Sequence, residues 1–525
     1  MSDDPATTPA STDYRAIRIE NLKKLEAAGF TPFGAGAYAR SGTLAEIRAL
    51  GEPLLAAHAA ANPEGPAPSA PNRAPGPECA APARAQAAPA PAGGAVRAAG
   101  RLLGLRNMGK TIFADLRDGF ARIQLFVNAK NFDRPEDFEA FKLLDLGDHV
   151  GAEGELFVTR TGELSVRVQR WTLLSKALRQ PPEKFHGLTD TEDRYRMRYV
   201  DLFTNPESRE RFYKRSAILR ETRRWLEARG FMEVETPILQ PHAGGATAKP
   251  FTTHYNALDR DMFLRIAPEL YLKRLIIGGF DKVFEIGRDF RNEGLDRTHN
   301  PEFTVLELYQ AYGDRRSMMD VIEGLLPHLC DTVIGSRRVK YGEHELDFTP
   351  PYREVAYADL VKERMGADWF DLPLAEAQAR VRAAELPFDP AWDMLLLTHE
   401  VYDKLIERTL IQPTFVTRVP HEFVPLAKVC PDDPTKANVF EFVVGGRELC
   451  PGYTEQNDPF AQREAFQAQV DEDAESTDED FVEALEYGMP PTGGLGLGMD
   501  RVVMMLTGTE VIRDVILFPQ LKQVR

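Results

Sequence analysis

Three segments in the C-terminal half of the chain combine charged side chains with glycines, a mixture that a packed core would not favour. The first, residues 287–303, follows the apolar run KVFEI and places arginines, a glutamate and a histidine around an Asn-Pro pair, which predicts a charged hairpin. The second, residues 441–458, has glutamates on both sides of a Gly-Gly turn. The third, residues 493–508, is a glycine-rich strand that leads into a helix.

Each of these segments also has an ordinary structural explanation. The first is a charged surface hairpin, the second a solvated acidic loop, and the third a turn that lets a helix pack closely against a sheet. A single segment is therefore weak evidence for a functional site. All three in one chain, in this order, point to one family of enzymes.

Together the segments resemble the motifs of the class II aminoacyl-tRNA synthetases, and within them the lysyl enzymes with an N-terminal OB-fold anticodon-binding domain. GFMEVETPIL is similar to motif 1, FRNEG followed by HNPEFTVLELY to motif 2, and GLGLGMDR to motif 3. The resemblance extends from about residue 96 to about residue 522. It implies an α+β fold, in which an N-terminal all-β OB-fold barrel is followed by a class II catalytic domain built on an antiparallel sheet with flanking helices.

The resemblance implies ATP-dependent activation of lysine. The carboxylate of an amino acid is already a nucleophile, so its attack on the α-phosphate of ATP needs no general base, and positioning and charge stabilisation supply the rate. Arg291 and Arg501 are the expected catalytic residues: Arg291 bridges the carboxylate and the α-phosphate, and Arg501 faces the adenine opposite Phe303. The other implied ATP-binding residues are Glu293, Arg297, His299 and Glu441, and the implied ligands of two or three Mg²⁺ ions are Glu441 and Glu448.

Selection of the amino acid depends on a second set of residues in this resemblance. Glu455 and Tyr309 are expected to hold the ε-ammonium group of lysine. A desolvated carboxylate at that point would be left unpaired by a neutral side chain, which gives strong rejection of other amino acids. The rest of the implied lysine site consists of Gly245, Glu269, Arg291, Glu307 and Tyr453.

Two positions depart from the pattern of the family. Where relatives have EIGNG, this chain has ELCPG, so that Pro451, after Cys450, replaces an asparagine that helps to hold the amino acid. In HEFVPLAK, Val424 stands where a serine is usual. We therefore expect weaker lysine binding than in the family at large, with an unaffected ATP site. Two alternatives stay open: a paralogue that activates a lysine analogue, and a tRNA-binding pseudo-synthetase without catalysis.

The element expected to position the tRNA anticodon is a β-hairpin. In TIFADLR and ARIQLFV, residues alternate between two faces with period two, and the Asp-Gly pair between the two runs predicts a tight turn. With that turn, Phe113 faces Gln124. An aromatic ring beside an amide suits the stacking and reading of a single-stranded base. The resemblance likewise implies that Phe113 and Gln124 contact the central anticodon uridine.

Changes in composition along the chain predict its organisation. Helical patterns at 14–29 and about 44–61 give way to an Ala/Pro tract that cannot bury enough apolar surface to offset its ordering entropy. Period-two strands, a basic connector and a long helix at 209–229 follow. The predicted parts are a helical extension (1–61), a disordered linker (62–95), the OB-fold domain (96–176), a connector (177–200) and the catalytic domain (201–525), which has a helical insertion at about 330–428.

Bulk properties favour an enzyme of the cytoplasm. The four cysteines form no CxxC pair, and no apolar run approaches the ~18 residues of a membrane span. The N-terminus lacks the features of a secretory signal. The net charge of −16 does not exclude tRNA, because acidic residues crowd into 471–483 while 160–224 is rich in Arg and Lys. The expected partners are ATP, L-lysine, tRNA(Lys) and a second copy of the chain in a homodimer, since motif 1 forms a two-fold interface in the family.

Overall fold

The computed structural model describes residues 13–34, 36–63, 95–119, 121–182, 187–246, 248–424, 426–469 and 478–522. The linker expected at 62–95 lies almost entirely outside these residues, as does most of the acidic run at 471–483. The chain divides into two compact units, Met1–Glu210 and Arg211–Arg525. The division falls beyond the end of the connector expected at 177–200.

In the first unit the helix expected over 44–61 is two helices, separated at Gly51. Pro53 stands in the first turn of the second of these helices and has no N–H to donate back into the preceding one. The described helices of the unit are α1 (Tyr14–Ala27), α2 (Leu44–Leu50), α3 (Glu52–Ala61), α4 (Pro135–Phe141), α5 (Thr191–Arg196) and α6 (Arg198–Thr204). Its strands are β1 (Ala95–Asn107), β2 (Thr111–Arg117), β3 (Arg122–Asn128), β4 (His149–Val158) and β5 (Leu164–Ser175).

These five strands close into a barrel in the order β1-β2-β3-β5-β4. Along β1 every second residue is buried, so one face of the strand fills the barrel and the other faces outward. Leu25 of α1 and the α2 residues Leu44 and Ile47 share the hydrophobic core of the barrel. The predicted OB-fold barrel is thus confirmed, and the N-terminal helices pack onto it.

The hairpin between β2 and β3 has a different register from the expected one. Phe113 lies opposite Phe126, two residues beyond Gln124. The turn is longer than two residues, because the N–H of Asp118 bonds to the carbonyl of Ala121 and the carboxylate of Asp118 accepts from the N–H of Ala121. The expected pairing of Phe113 with Gln124 was therefore wrong. Since the shift is an even number of residues, both side chains keep the predicted face.

Helix α7 (Pro206–Glu227), in which the division falls, leads into the second unit. No helix among the residues that the structure describes has the length and apolarity needed to cross a bilayer. The helices after α7 are α8 (Glu269–Ile277), α9 (Arg315–Leu329), α10 (Tyr357–Met365), α11 (Leu374–Ala383), α12 (Met394–Val401), α13 (Pro459–Gln469), α14 (Glu479–Glu486) and α15 (Met499–Thr507). The strands are β6 (Met232–Glu233), β7 (Leu239–Gln240), β8 (Thr252–Tyr255), β9 (Arg260–Leu264), β10 (Lys282–Phe290), β11 (Glu302–Ala311), β12 (Arg338–Tyr341), β13 (His344–Asp347), β14 (Arg353–Ala356), β15 (Thr414–Thr417), β16 (Val429–Cys430), β17 (Asp433–Ala437), β18 (Val439–Val444), β19 (Arg447–Thr454) and β20 (Thr492–Gly498).

An eight-stranded sheet in the order β14-β15-β18-β19-β20-β11-β10-β6 forms the centre of the second unit. The six inner strands pair antiparallel, which confirms the prediction for them. The two edge strands, β6 and β14, instead pair in parallel with their neighbours. Each edge strand reaches its neighbour through a long connection that contains at least one helix, as is usual for parallel pairing.

Alternation along β11 separates a core face of the sheet from an open face. Leu306 and Leu308 enter the main hydrophobic core together with residues of α7, α9 and α15. Phe303, Glu307 and Tyr309 occupy the alternate positions and therefore lie on the other face. The sequence of this one strand decides which side of the sheet is available for a site.

The stretch expected to be a helical insertion, about 330–428, contains α10, α11 and α12. These helices pack on the sheet through a second core that includes Val439 and Val443 of β18. The stretch also supplies β14 and β15 to the main sheet, and β12 and β13 as a separate hairpin. Its helical part is thus bounded by two strands of the sheet.

Candidate functional site

A cavity of about 980 Å³ opens on the face of the sheet opposite the main core. Its walls come from β11, β19, β20, α8, α15 and the loop between β10 and β11. Among the expected site residues of this unit, Glu441 and Arg297 lie outside the lining. The expected residues that line it are Gly245, Glu269, Arg291, Glu293, His299, Phe303, Glu307, Tyr309, Glu448, Tyr453, Glu455 and Arg501.

Arg291 stands just past the end of β10, with its guanidinium carbon 5.2 Å from the centroid of the Phe303 ring. Its Nη2 donates a long hydrogen bond of 3.5 Å to the carbonyl of Ile266. Its Nε is buried and has no acceptor within the part of the chain that the structure describes. A guanidinium with a buried, unused donor is suited to a planar anion such as a carboxylate or a phosphate.

A buried ion network fixes the strand that carries Arg291. Arg265 is 1% exposed and pairs with Glu285 and with Asp289, whose Oδ1 lies 3.2 Å from Nε of Arg265. A Cβ atom at Gly287 would lie 1.9 Å from Nη2 of Arg265. A side chain at this position would therefore displace the buried guanidinium, which crosses β10 there.

Arg501 lies in the first turn of α15 and faces the loop between β10 and β11. Its Nη1 donates to the carbonyl of Glu448 at 2.7 Å, and its Nη2 is 3.3 Å from Nε2 of His299. His299 is exposed, and its Nδ1 lies 2.7 Å from Oδ2 of Asp296. Glu293 is exposed in the same loop. This part of the cavity thus presents cationic and polar groups to solvent, as binding of a nucleotide requires.

Asp500 holds the start of α15 in place. It is 2% exposed and accepts a hydrogen bond of 2.7 Å from the backbone N–H of Thr304 on β11. It also forms an ion pair with Arg215 of α7, the helix before the segment similar to motif 1. Asp500 therefore joins the segments similar to motifs 2 and 3 to each other and to helix α7.

The other end of the cavity is acidic and closed. Glu269, Glu307 and Glu455 line it and are 7%, 7% and 1% exposed. The hydroxyl of Tyr309 donates to Oε2 of Glu307 at 3.2 Å, while the fully buried Lys273 lies 2.6 Å from Oε1 of Glu269 and 2.6 Å from Oε2 of Glu455. Burial raises the pKa of Glu455 to about 7 and lifts the pKa of Glu307 above its usual value. Desolvated carboxylates favour a cationic ligand, which restores their charged form.

Strand β20 makes room for this acidic end. Its residues Leu495 and Leu497 enter the main core, so the alternating glycines face the cavity. A Cβ atom at Gly494 would lie 2.1 Å from Oε1 of Glu455 and 2.5 Å from the ring of Tyr309. The Gly-Leu alternation thus fills the core on one side and leaves room for the Glu455 carboxylate and the Tyr309 ring on the other.

Glu441 and Glu448 lie on the hairpin of β18 and β19, whose turn contains Gly445 and Gly446. Both glycines have positive φ angles, 61° and 72°, which fits the predicted turn. Leu449 is an extra residue on β19 with no partner on β18. Such a bulge re-aims the strand, so Glu448 comes to the same face as Glu441.

The electrostatics of these two glutamates fit a bound cation. Burial, and next the charge of Glu448, raise the pKa of Glu441 to about 8, and burial also raises the pKa of Glu448. The hydroxyl of Tyr402, in the π-helical turn Tyr402–Ile406, donates to Oε2 of Glu441 at 3.0 Å. Among the described residues no cluster of three or more His, Cys, Asp or Glu side chains can hold a metal. A pair of carboxylates is a donor set that Mg²⁺ uses together with waters and phosphate oxygens.

The two residues expected to contact the anticodon lie on the first unit. Phe113 is half-buried, with its ring centroid 5.5 Å from that of Phe126 and 5.9 Å from the guanidinium carbon of Arg106. Gln124 is 6% exposed, and its Oε1 accepts a hydrogen bond of 3.0 Å from the hydroxyl of Ser165. The aromatic ring is thus available at the barrel surface, whereas the amide oxygen of Gln124 is engaged by Ser165 of the neighbouring strand β5.

Both departures from the family pattern reach the cavity. Pro451 and Val424 belong to its lining, and Pro451 lies directly opposite Glu441 in the sheet. Cys450 is instead fully buried in the main core, on the opposite face of β19. Only the proline of the Cys-Pro pair therefore affects the space that a ligand occupies.

Lys273, Gly494 and Asp500 are part of the site but were not predicted from the sequence. Lys273 follows Glu269 by one helical turn, and this spacing of opposite charges was a signal for their pairing. The alternation of glycine and leucine in GGLGLG was a signal for a strand with one open face. Nothing in the sequence indicated the partners of Asp500, which lie far away in the chain.

Comparison with known proteins agrees with this geometry. The family of class II tRNA synthetases (D, K and N) matches residues 190–522, and the OB-fold nucleic acid binding domain matches residues 96–174. The lysine–tRNA ligase of Dehalococcoides mccartyi is 49% identical over 435 residues, which are 81% of this chain and 87% of that relative. The lysine–tRNA ligases of Lactococcus lactis subsp. cremoris and Bacillus subtilis are 49% and 47% identical over 81% and 82% of this chain, in each case 87% of the relative. The chain therefore belongs to the class II tRNA synthetases (D, K and N).

Proposed function

We propose that this protein is a lysine–tRNA ligase, which activates L-lysine with ATP and transfers it to the 3′ end of tRNA(Lys). The observation that carries this proposal is one cavity with two arginines at its open side and a buried carboxylate, Glu455, at its closed end. The arginines suit the anionic groups of ATP and of an amino acid. The closed acidic end suits a side chain that ends in an ammonium group. The relatives named lysine–tRNA ligase support the same assignment.

In the activation step, a carboxylate oxygen of lysine attacks the α-phosphorus of ATP, and the bond to pyrophosphate breaks. Arg291 is proposed to bind the attacking carboxylate and an α-phosphate oxygen together, which sets their distance and offsets the charge that develops. Phe303 and Arg501 hold the adenine between them, and Glu293 accepts from its amino group. His299 lies beside Arg501 and serves the phosphate tail.

The proposed lysine site uses the acidic end. Glu455 and Tyr309 hold the ε-ammonium group, with Tyr453 in the wall beside them. An uncharged side chain there leaves a buried carboxylate without a partner, so other amino acids are rejected. The backbone at Gly245 and the carboxylates of Glu269 and Glu307 receive the α-ammonium group.

Magnesium is the proposed cofactor, and Glu441 and Glu448 are its proposed ligands. Their position on one face of the hairpin of β18 and β19 supports this assignment, and so do their raised pKa values, since a cation restores the charged form of both groups. When bound with ATP, Mg²⁺ neutralises the phosphate charge and stabilises the leaving pyrophosphate.

Recognition of tRNA is proposed to involve the OB-fold barrel. Phe113 offers a ring on which an anticodon base stacks, and Gln124 contributes through its amide NH₂ group. We further propose that the enzyme is a homodimer and that it acts in the cytoplasm. The buried free cysteines Cys330, Cys430 and Cys450 support a reducing compartment.

The lining of the cavity by Pro451 and Val424 favours one alternative, an enzyme for a lysine analogue. ATP–pyrophosphate exchange with each of the twenty amino acids and with lysine analogues tests the proposal. We expect exchange with lysine at the lowest concentration of any amino acid. A lower KM for an analogue would favour the alternative, and no exchange with any substrate would point to a non-catalytic tRNA-binding protein.

A further inference from the structure

Lys273 is a buried cation that the proposed reaction does not use. It lies on α8 and is fully buried, and its Nζ contacts Oε1 of Glu269 and Oε2 of Glu455 at 2.6 Å each. Burial of an ammonium group is costly unless the group is paired and hydrogen-bonded. Here burial lowers the pKa of Lys273, but the charges of Glu269 and Glu455 raise it more, so the net shift is upward and the group stays charged.

Both partners of Lys273 line the cavity, and one of them keeps an oxygen for a ligand. Glu455 gives Oε2 to the ion pair, whereas its Oε1 is buried and meets no donor in the described part of the chain. That oxygen packs beside Gly494 and the ring of Tyr309, since a Cβ atom at Gly494 would lie 2.1 Å from it. A single internal ammonium group thus joins two carboxylates that are proposed to receive the two ammonium groups of lysine.

We propose that Lys273 is a positioning residue that determines amino-acid selectivity: it holds Glu269 and Glu455 in place and keeps Glu455 ionised for the ε-ammonium group of the substrate. The inference rests on the proposed function. Without Lys273, neighbouring buried carboxylates repel each other, and one of them takes up a proton. A protonated carboxyl group no longer attracts an ammonium group and no longer rejects a neutral side chain.

Among the described residues, Lys273 is the only cationic side chain close to Glu455. The titratable groups near Glu455 are Lys273 and Glu269 on α8, Tyr309 on β11 and Tyr453 on β19. Burial raises the pKa of both tyrosines, so they remain neutral. Ionisation of Glu455 in the absence of substrate therefore depends on Lys273.

The test is Lys273→Met, which keeps length and apolar volume but removes the charge. Lysine affinity, by titration calorimetry, and the lysine KM in pyrophosphate exchange are measured between about pH 6 and about pH 9. We expect lysine affinity to fall about tenfold or more near pH 7, the defect to shrink as pH rises, and the KM for ATP to stay within about twofold. Discrimination between lysine and its neutral isostere norleucine should also decrease.

Arg274→Met is the matched control, because Arg274 is the next residue on the same helix and pairs with Asp478 and Asp480 at 3.2 and 2.9 Å. It removes a cation from α8 without touching Glu269 or Glu455, and we expect an unchanged lysine pH profile. An equal loss in both variants, or a loss in Lys273→Met that is the same at every pH, would show that Lys273 only stabilises the fold.

Thermal melting will show whether Lys273→Met folds poorly. Lys273→Gln is then used, since it keeps a hydrogen-bond donor without the charge. If Lys273 acts through Glu455, either substitution should weaken lysine binding little further when Glu455→Gln is already present. Additive losses would overturn the inference. Failure of the wild-type protein to catalyse lysine-dependent exchange would instead overturn the proposed function.

Discussion

Glu455 makes lysine binding depend on pH. Burial raises its pKa to about 7, although Lys273 opposes the shift. Lysine binds the ionised carboxylate, so at lower pH a proton must leave before the ammonium group enters. We expect the lysine Kd to increase as pH falls below about 7, approaching tenfold per pH unit. Calorimetry with lysine in the absence of ATP measures this pH dependence of the Kd without a contribution from the magnesium ligands. A Kd that is constant between about pH 5.5 and about pH 8 would contradict the prediction.

The charge of Glu455 is also expected to decide the substrate. Glu455→Gln keeps the shape of the side chain and removes the partner of the ε-ammonium group. Loss of one partner of a buried charge pair typically costs about 2 kcal/mol or more, so kcat/KM for lysine should fall at least about 30-fold in pyrophosphate exchange. The KM for ATP should change little. Glu464→Gln, an exposed glutamate on α13, is the control; unchanged lysine affinity in Glu455→Gln would remove Glu455 from the lysine site.

At the scale of elements, β20 shows how a strand serves a core and a site at once. In Gly494→Ala the added Cβ atom would lie 2.1 Å from Glu455 Oε1, so the carboxylate or the strand must move. We expect the lysine KM to rise about tenfold or more, as misplacement of a positioning group allows. In Gly496→Ala the Cβ atom would meet only Glu307 Cγ, at an ordinary 3.7 Å. This substitution should therefore raise the lysine KM less than Gly494→Ala does. Equal effects of the two substitutions on lysine KM would contradict this account of β20.

The hairpin of β2 and β3 is expected to separate tRNA recognition from activation of lysine. Phe113→Ala removes a stacking surface typically worth about 1–3 kcal/mol per base. Aminoacylation of tRNA(Lys) should therefore fall, while lysine-dependent pyrophosphate exchange stays unchanged. Phe33→Ala, which removes a 60% exposed ring in the same unit, serves as the control. A parallel loss of both activities would mean that Phe113 serves the packing of the barrel with Phe126.

At the scale of the whole molecule, an exposed apolar segment favours a dimer. Met232, Ile238 and Leu239, in the segment similar to motif 1, are 53%, 44% and 48% exposed. Neighbouring exposed apolar side chains commonly mark an interface. Sedimentation velocity should show about 118 kDa, twice the chain mass of 58.8 kDa. Leu239→Asp should shift the sedimenting species toward the monomer. Leu396→Asp on α12, at a residue that is 45% exposed, is the control and should leave the dimer intact. A wild-type monomer at micromolar concentration would refute the dimer.

The sequence by itself determined the features that depend on near neighbours in the chain. Alternation on β11 places Phe303, Glu307 and Tyr309 on one face, because side chains of a strand point to opposite sides in turn. The Gly-Gly turn between Glu441 and Glu448 was predictable since only glycine adopts positive φ at little cost. The order of the motif-like segments indicated the family and, through it, twelve of the residues that line the cavity.

Only the tertiary structure decided which distant groups meet. The register of β2 with β3 depended on a longer turn closed by Asp118, which a dipeptide signal does not reveal. The parallel pairing of the sheet edges depended on where helical connections return the chain. Lys273 and Glu455 are separated by 182 positions in the sequence (455 minus 273), yet their charged atoms are 2.6 Å apart. Contacts of this kind follow from the packing of whole elements, and packing is a property of the folded chain rather than of any local pattern.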